Sequence, residues 1–371
     1  MVDYKQEIAK YLDSKSNDKY LELIKNKISK FKYICIFPMG IEGMSMFDKL
    51  KCQGINVDFF CDNNPKKVDT LYKGIKCIPL DELHKKKDDT VVIISSLYYK
   101  EIYKQLSEKG FKHLDRILAN KFEIDEYFLK NNIDDIKKSI FKLIDILDDE
   151  ESKRIVCKII EGWFLKEYQY GFFDDIYIKN QYFTNEVVKL SDEEVFVDVG
   201  PFTGDTVEEF LKNVDYKFSR MFLFELNKSI YEELKENISE YSKEIIEKII
   251  TYNYGLSSKE ENITYSDGNS GSSIMENGEL CGKVIDLDTI LQGEKVTFIK
   301  MDIEGAEFDA LHGAQKTIEK FRPKLAICIY HSTEDLWRIP LYIKKLLPEY
   351  KIYIRHHTDL LYETVCYAIP N

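Results

Sequence analysis

Apolar residues recur along this chain with two different periods. Leu21, Ile24, Ile28 and Phe31 fall three or four apart, the stripe of an amphipathic helix. Residues 1–30 are therefore expected to be helical and to pack on the domain that follows. From 31 to 118 short β-rich runs alternate with helical stretches. Tyr33 to Phe37 reads as a strand; it ends in Pro38, Met39, Gly40 and Gly43 and leads into a helix reaching Gln53. Residues 57–60 form a second strand, followed by Cys61, Asp62, Asn63, Asn64 and Pro65. Residues 91–94 form another, ending at Ser95 and Ser96 before a helix to Lys109. Strands alternating with helices predict a parallel, doubly wound α/β sheet.

Residues 119–190 differ. Isoleucine, leucine and charge recur at helical spacing from Ile133 to Ile160. An aromatic cluster follows: Trp163, Phe164, Tyr168, Tyr170, Phe172, Phe173, Tyr177, Tyr182 and Phe183. This stretch reads as a helical and aromatic connector, most of the cluster being a hydrophobic seam. From 191 to 371 strands and helices alternate again. Candidate strands are 194–199, 220–224, 248–254, 296–301, 324–330, 351–355 and 364–369. Residues 257–282, rich in Ser, Gly and Asn, read as hairpins and a loop. The expected division is an α/β domain over 1–118, the connector over 119–190 and a second α/β domain over 191–371.

Composition narrows the function. A chain of 371 residues with 44% hydrophobic and 32% charged residues has the balance of two or three folded domains. The net charge of −12 supplies no basic face for nucleic acid. The run His84 to Lys87 is followed at once by Asp88 and Asp89, as in a solvated loop. No apolar run approaches bilayer length, and the first ten residues contain no apolar signal core, so a cytoplasmic protein without stable membrane insertion is expected. None of the eight cysteines forms a CxxC pair; free thiols in a reducing compartment are expected, and no metal site.

Four segments carry chemistry. The first runs Val195-Phe196-Val197-Asp198-Val199-Gly200-Pro201-Phe202-Thr203-Gly204-Asp205. A buried strand ends in an acid, turns on glycines and enters a helix, so backbone can approach a ligand closely. Two acids flank the place where a pyrophosphate would sit, which disfavours phosphates and suits a cationic, amino-acid-bearing ligand such as S-adenosylmethionine. A purely structural turn is the alternative. The second segment ends at Phe224-Glu225, 27 residues after Asp198. Taken alone, Glu225 reads as a solvated strand-end acid; paired with the glycine turn, it is placed to receive ribose hydroxyls.

The third segment is Phe298-Ile299-Lys300-Met301-Asp302-Ile303-Glu304-Gly305-Ala306-Glu307. Lys300, Asp302 and Glu304 alternate and are expected to share one face and converge on the crevice beyond the strand ends, with a salt-bridged strand end as the alternative. In the fourth, Tyr330-His331 closes another strand. His331 is a candidate general base because its ordinary pKa lies near neutrality, though a lone histidine is also a common structural residue.

Residues 180–369 resemble the FkbM-type methyltransferases. The resemblance rests on Gln181-Tyr182-Phe183, Asp198 to Asp205, Phe224-Glu225, Leu287-Asp288, Lys300 to Glu307, Leu311-His312-Gly313-Ala314 and Tyr330-His331. It departs at Pro201 and Leu226. It implies a Rossmann-like methyltransferase fold with a seven-stranded mixed sheet, its last strand antiparallel. It implies S-adenosylmethionine as cofactor and O-methyl transfer to a hydroxyl of a glycan or sugar-linked acceptor. The cofactor-binding candidates are Asp198, Gly200, Thr203, Gly204, Asp205, Glu225, Leu226, Asn253, Gly255, Leu256, Asp302 and Tyr182. The catalytic candidates are His331, Asp302 and Lys300 for the proton and Glu304 for the acceptor.

The N-terminal domain resembles small sugar-nucleotide-associated modules, with Gly40 and Gly43 as the turn and Asp62 as the ribose acid. Glu42 would repel phosphate there; Lys66 and Lys67 could meet a diphosphate or belong to a solvated turn. A carrier-recognition or assembly role is expected of it. Two other readings stand beside the glycan methyltransferase: a methyltransferase acting on protein or a small metabolite, and a non-catalytic nucleotide-binding scaffold. The acceptor, described as a glycan or nucleotide-sugar type, and any homo-oligomer are not fixed by the sequence.

Overall fold

The structure is a computed structural model. It describes every residue except 1, 14–19, 97, 118–119, 166–170, 185, 269–270 and 275–279. Tyr168 and Tyr170 of the aromatic cluster and part of the 257–282 segment lie outside the described residues. The chain divides into two compact units. One comprises Asp13–Asn131 and Glu161–Phe172; the other comprises Met1–Leu12, Asn132–Ile160 and Phe173–Asn371. The stretch 119–190 is thus shared between the two.

The first unit is built on a six-stranded sheet. Its strands are β1 (Tyr33–Phe37), β2 (Phe59–Asp62), β3 (Leu71–Tyr72), β4 (Ile75–Pro79), β5 (Thr90–Ile94) and β6 (Leu114–Asp115), in the order β3-β4-β2-β1-β5-β6. All pairings are parallel except β3 with β4. β5 reads Thr-Val-Val-Ile-Ile and is buried throughout, as a central strand covered on both faces must be. Gly43, in the helix Ile41–Cys52, would carry a Cβ only 2.1 Å from the Pro38 carbonyl oxygen, so that helix packs on the β1 turn only with glycine there. The short strands β3, β4 and β6 carried no periodic signal. At the N-terminus there are two helices, Tyr4–Asp13 and Tyr20–Ile28. The second buries Tyr20, Ile24 and Ile28. The first belongs chiefly to the other unit, where Lys5 pairs with Asp145 at 2.6 Å.

In the second unit the strands are β7 (Val195–Val199), β8 (Arg220–Phe224), β9 (Ile249–Tyr252), β10 (Gly255–Leu256), β11 (Glu261–Gly268), β12 (Gly271–Ile274), β13 (Leu280–Ile285), β14 (Phe298–Met301), β15 (Lys324–Cys328), β16 (Lys351–His356) and β17 (Thr364–Ile369). Seven of them form one sheet in the order β16-β17-β15-β14-β7-β8-β9, with β17 alone antiparallel to its neighbours. This is the mixed Rossmann-like sheet the resemblance implies. The chain leaves β7 toward β8 and later returns on the other side as β14, so a crevice opens beyond the carboxyl ends of β7 and β14. A second sheet, β10-β13-β11-β12, accounts for the Ser/Gly-rich stretch.

Aromatic packing holds the large sheet to its helices. Phe196 of β7 stacks on Phe210 at 4.5 Å and on Phe298 of β14 at 5.1 Å, and Phe183 meets all three rings within 6.0 Å. The helix Asp205–Asn213 buries Thr206, Val207, Phe210 and Leu211, a single stripe at helical spacing. Each buried phenylalanine of this kind contributes about 1.5–3 kcal/mol. The helix Ile133–Ile146 buries Ile136, Ile140, Leu143 and Ile144 and is capped by Asn132, whose side chain accepts from the Asp134 amide. Its exit reaches β16, where the Ile352 amide donates to Asp148 at 2.7 Å. No helix among the described residues is long and apolar enough to cross a membrane.

Candidate active site

At the carboxyl end of β7 the chain turns through Gly200 at φ 77° and Gly204 at φ 104°, the latter capping the helix Asp205–Asn213. Both conformations are left-handed, which a side chain disfavours. Gly200 has a second reason to be glycine: a Cβ would lie 2.0 Å from the Asp302 carbonyl oxygen. The β7 turn and the β14 turn are thereby pressed together. After β14 the chain turns again, through Glu304 at φ 55° and Gly305 at φ 100°. Buried Glu307 fixes this second turn by accepting from the amides of Ile303 (2.7 Å) and Gly305 (3.1 Å).

Between these turns lies a cavity of about 220 Å³. Of the candidates drawn from the sequence, Gly200, Asp205, Glu225, Leu226, Gly255, Leu256, Asp302 and Glu304 line it. Phe202, Phe224, Ile230, Val284, Ile303 and Ala306 complete the wall; apolar strand and turn residues of this kind had no chemical signature to single them out. β10, with Gly255 and Leu256, and β13, with Val284, thus supply one side.

Glu225 is buried, and its Oε1 accepts from the Asn227 amide at 2.8 Å. Burial pushes its carboxyl up to about 7, against the pull of that hydrogen bond and of Lys300. Asn253 does not line the cavity. It holds the turn beneath it, its Nδ2 donating to the carbonyls of Glu225 (2.9 Å) and Leu226 (3.1 Å). Thr203 and Gly204 likewise shape the turn without lining the cavity; the Thr203 carbonyl accepts from Asn237 at 2.8 Å.

Asp198 and Lys300 are not in the wall either. Asp198 is fully buried, and Lys300 Nζ lies 3.0 Å from its Oδ1 while donating to the Gly200 carbonyl at 2.6 Å. Burial pushes the Asp198 carboxyl up to about 6 despite the lysine. Burial works against the Lys300 ammonium too, but Asp198 and Asp302 hold it well above the usual lysine range. The expected convergence of Lys300, Asp302 and Glu304 on one crevice therefore holds for the two acids only. The strand ends at Met301, and Lys300 points to its neighbour on β7 instead.

Asp302 is the hub. Its Oδ2 accepts from the Tyr182 hydroxyl at 2.8 Å, its Oδ1 from the Tyr330 hydroxyl at 3.1 Å, and His331 Nε2 lies 3.5 Å from Oδ1. Burial would raise its carboxyl, but Lys300, His331 and the Tyr182 hydrogen bond hold it below the ordinary carboxylate range. Tyr182 does not touch the cavity; it acts through Asp302. His331 faces three carboxylates: Glu307 at 2.9 Å from Nδ1, and Asp302 at 3.5 Å and Glu304 at 3.7 Å from Nε2. Burial lowers its pKa, but Glu307 foremost among these acids raises it to about 10. Near neutrality His331 is an imidazolium with no lone pair for a substrate proton. Asp302, Glu307 and His331 are also the group that could hold a divalent cation, offering ligand atoms within 4.8 Å of one another.

In the N-terminal unit Asp62 accepts from the Asn64 amide at 2.8 Å and pairs with Lys67 at 3.2 Å. Those contacts occupy the acid expected to hold a ribose.

Comparison with known proteins follows the same division. Residues 198–359 match the methyltransferase FkbM domain, and residues 30–118 match a family described as C2185-like, N-terminal. No curated protein matches the sequence. The crystal structure of methyltransferase FkbM from Methylobacillus flagellatus KT superposes with a TM-score of 0.75 at 20% identity, covering 99% of each chain. That likeness is one of fold. An rRNA methylase from Streptococcus thermophilus (TM-score 0.33, 16% identity) covers 49% of this chain and 90% of its own. The fibrillarin pre-rRNA processing protein of Methanococcus jannaschii (0.31, 15%) covers 49% and 70%. The C-terminal part of this chain is thus similar to a methyltransferase FkbM domain and shares its fold, preceded in sequence by an α/β domain of its own.

Proposed function

We propose that the C-terminal domain is an S-adenosylmethionine-dependent O-methyltransferase acting on a hydroxyl of a glycan or sugar-linked acceptor of nucleotide-sugar type. The observation that carries the cofactor is the lining of the cavity. Asp205, Glu225, Asp302 and Glu304 face it, and no basic side chain stands among the described lining residues. A pyrophosphate would meet those acids unscreened, whereas a ligand bearing a sulfonium and an ammonium is attracted by them. The apolar wall of Phe224, Leu226, Ile230, Leu256 and Val284 suits an adenine ring. Glu225 has one oxygen engaged with the Asn227 amide and keeps acceptor capacity for ribose hydroxyls.

Bound S-adenosylmethionine supplies an electrophilic methyl carbon. The chain's own residues orient the acceptor and take its proton. Asp302 is the group for the proton, being ionised and at the cavity. Its charge is shared among Tyr182, Tyr330 and His331. Lys300 and His331, both held protonated, stabilise that charge rather than act as bases. Glu304, on the strained turn after β14, is placed to hold the acceptor. Proton removal of this kind contributes about 10²–10⁴-fold, the rest coming from orientation. The glycan class rests on the sequence resemblance. It is tested by methyl transfer from radiolabelled S-adenosylmethionine to a panel of nucleotide sugars and oligosaccharides. Label on a hydroxyl oxygen, lowered about 100-fold by Asp302→Asn, supports the reading. Label on protein alone overturns the acceptor class.

A further inference from the structure

Tyr182 reaches Asp302 from a backbone conformation that its own side chain disfavours. Its φ of 65° is left-handed, an outlier for a bulky residue, and Asn180, two residues earlier, stands at 63°. Contacts from outside the segment must hold it there. Tyr182 is buried, and its amide donates to the hydroxyl of Tyr367, in β17, at 2.8 Å. That hydroxyl lies 3.0 Å from Nε2 of His357, the residue after β16, and His357 Nδ1 lies 2.7 Å from the Ile178 carbonyl. Ile178 is tied a second time, its amide donating to the His356 carbonyl at 2.9 Å. The His357 amide donates to the Glu363 carbonyl at 2.9 Å, and Glu363 Oε1 meets the hydroxyl of Tyr330, another partner of Asp302, at 3.3 Å.

The direction of each bond follows from what its ends are able to do. A carbonyl only accepts, so the Ile178 contact places the hydrogen on His357 Nδ1 and leaves the lone pair on Nε2. An amide only donates, so Tyr367 Oη accepts from Tyr182 and gives its own hydrogen to Nε2. Burial lowers the His357 pKa to about 4, which keeps the imidazole neutral as this pattern requires. The chain of bonds therefore runs from the Tyr182 amide through Tyr367 and His357 to the Ile178 carbonyl. It fastens both ends of the 178–182 segment to β17, which is itself paired on both sides, with β15 and β16.

We propose that Tyr367 is a positioning residue of this site, supported by His357: it holds Tyr182 in the left-handed conformation from which its hydroxyl meets Asp302. Neither Tyr367 nor His357 lines the cavity, and β17 contributes none of its described lining residues. The consequence for turnover rests on the methyl-transfer reading, in which Asp302 takes the acceptor's proton. Loss of the Tyr367 hydroxyl then slows the chemical step and leaves the adenosyl side of the cavity, around Glu225 and β10, as it was.

The test uses the full chain labelled with ¹⁵N- and ¹³Cζ-tyrosine, with the Tyr182 signals assigned by their absence from Tyr182→Phe, alongside steady-state methyl transfer. In Tyr367→Phe the Tyr182 amide is expected to exchange with solvent about 10-fold faster, the loss of one hydrogen bond, and its Cζ signal is expected to shift. The same variant is expected to lower kcat about 10-fold while KM for S-adenosylmethionine stays within about twofold. Tyr182→Phe combined with Tyr367→Phe is expected to be no slower than Tyr182→Phe alone, because Tyr367 acts only through that hydroxyl. His357→Asn keeps a donor for the Ile178 carbonyl and withdraws the acceptor from Tyr367. It is expected to move the same signals in the same direction, and it decides the matter where Tyr367→Phe does not fold. Unchanged Tyr182 exchange and Cζ signal overturn the proposal, as do kcat losses that multiply in the double variant. Equal acceleration of exchange at Tyr353 of β16 also overturns it, since the hydroxyl would then serve the sheet as a whole. A wild type without methyl transfer defeats the methyl-transfer reading alone; the exchange and Cζ signals still decide the positioning.

Discussion

Asp198 of β7 and Lys300 of β14 stand directly opposite each other in the sheet register, and their side chains meet at 3.0 Å with no solvent between them. The pair ties together the two strands whose turns form the cavity. Removing one partner strands a buried charge, a loss of about 3–5 kcal/mol. Lys300→Met is therefore expected to lower the unfolding free energy by about that amount in urea denaturation. Adding Asp198→Asn to Lys300→Met is expected to restore most of it. Equal destabilisation in the single and double variants would contradict a direct pairing.

The two glycines of the first turn differ in a measurable way. Gly200→Ala meets both a left-handed φ of 77° and the Asp302 carbonyl at 2.0 Å. Gly204→Ala has the strained φ of 104° but meets only a flexible Leu234 methyl at 3.2 Å. Gly204→Ala is expected to cost about 1–2 kcal/mol from backbone strain. Gly200→Ala is expected to cost more and also to weaken ligand binding, because the Asp302 turn must move. Thermal melts with and without S-adenosylhomocysteine check both.

His331 carries a pH signature. Its folded pKa of about 10 lies above the ordinary value of 6.5. Its stabilising contribution is complete below about pH 6.5 and is lost as pH rises through 10. The wild-type melting temperature is expected to fall more between pH 7 and pH 10 than that of His331→Gln. A variant curve parallel to the wild type would show that the imidazolium contacts do not form.

Glu225 has the same sign in a lower pH window. Its folded pKa of about 7 lies above the usual 4.5, so the folded state keeps a proton that the unfolded chain loses. Stability contributed there falls as pH rises from 4.5 to 7. Affinity for a cationic nucleoside is expected to rise over the same interval as the carboxylate ionises. Glu225→Gln should flatten that rise, a difference visible in calorimetric titrations at pH 5.5 and pH 8.

Much of this was readable before the structure. Three strands of the large sheet, β7, β8 and β14, are apolar runs with Asp198, Glu225 and Asp302 at or near their carboxyl ends, because central strands must be buried while polar groups gather where they stop. The placement of Lys300 was not readable. Alternation puts it on one face with Asp302 and Glu304 only while the chain stays extended, and the turn at Glu304 and Gly305 ends that rule. His331 looked like a base because its sequence gives no hint that Glu307, fully buried at the start of the helix after the β14 turn, would hold it protonated. Glu363 lies 61 residues beyond Asp302, and only the return of β17 beside β15 brings it to Tyr330. The hairpins expected within 257–282 appear as β11 to β13, although the Ser, Gly and Asn composition set no strand limits.

The cavity's acidic lining is most directly tested by isothermal titration calorimetry of the full chain with S-adenosylmethionine and, separately, with NAD. S-adenosylmethionine is expected to bind at a single site, with affinity lowered about 10- to 150-fold by Glu225→Ala, the loss of one charge-assisted hydrogen-bonding group. NAD is expected to give no heat attributable to that site. Tight NAD binding abolished by Glu225→Ala, with no S-adenosylmethionine binding, would contradict the account.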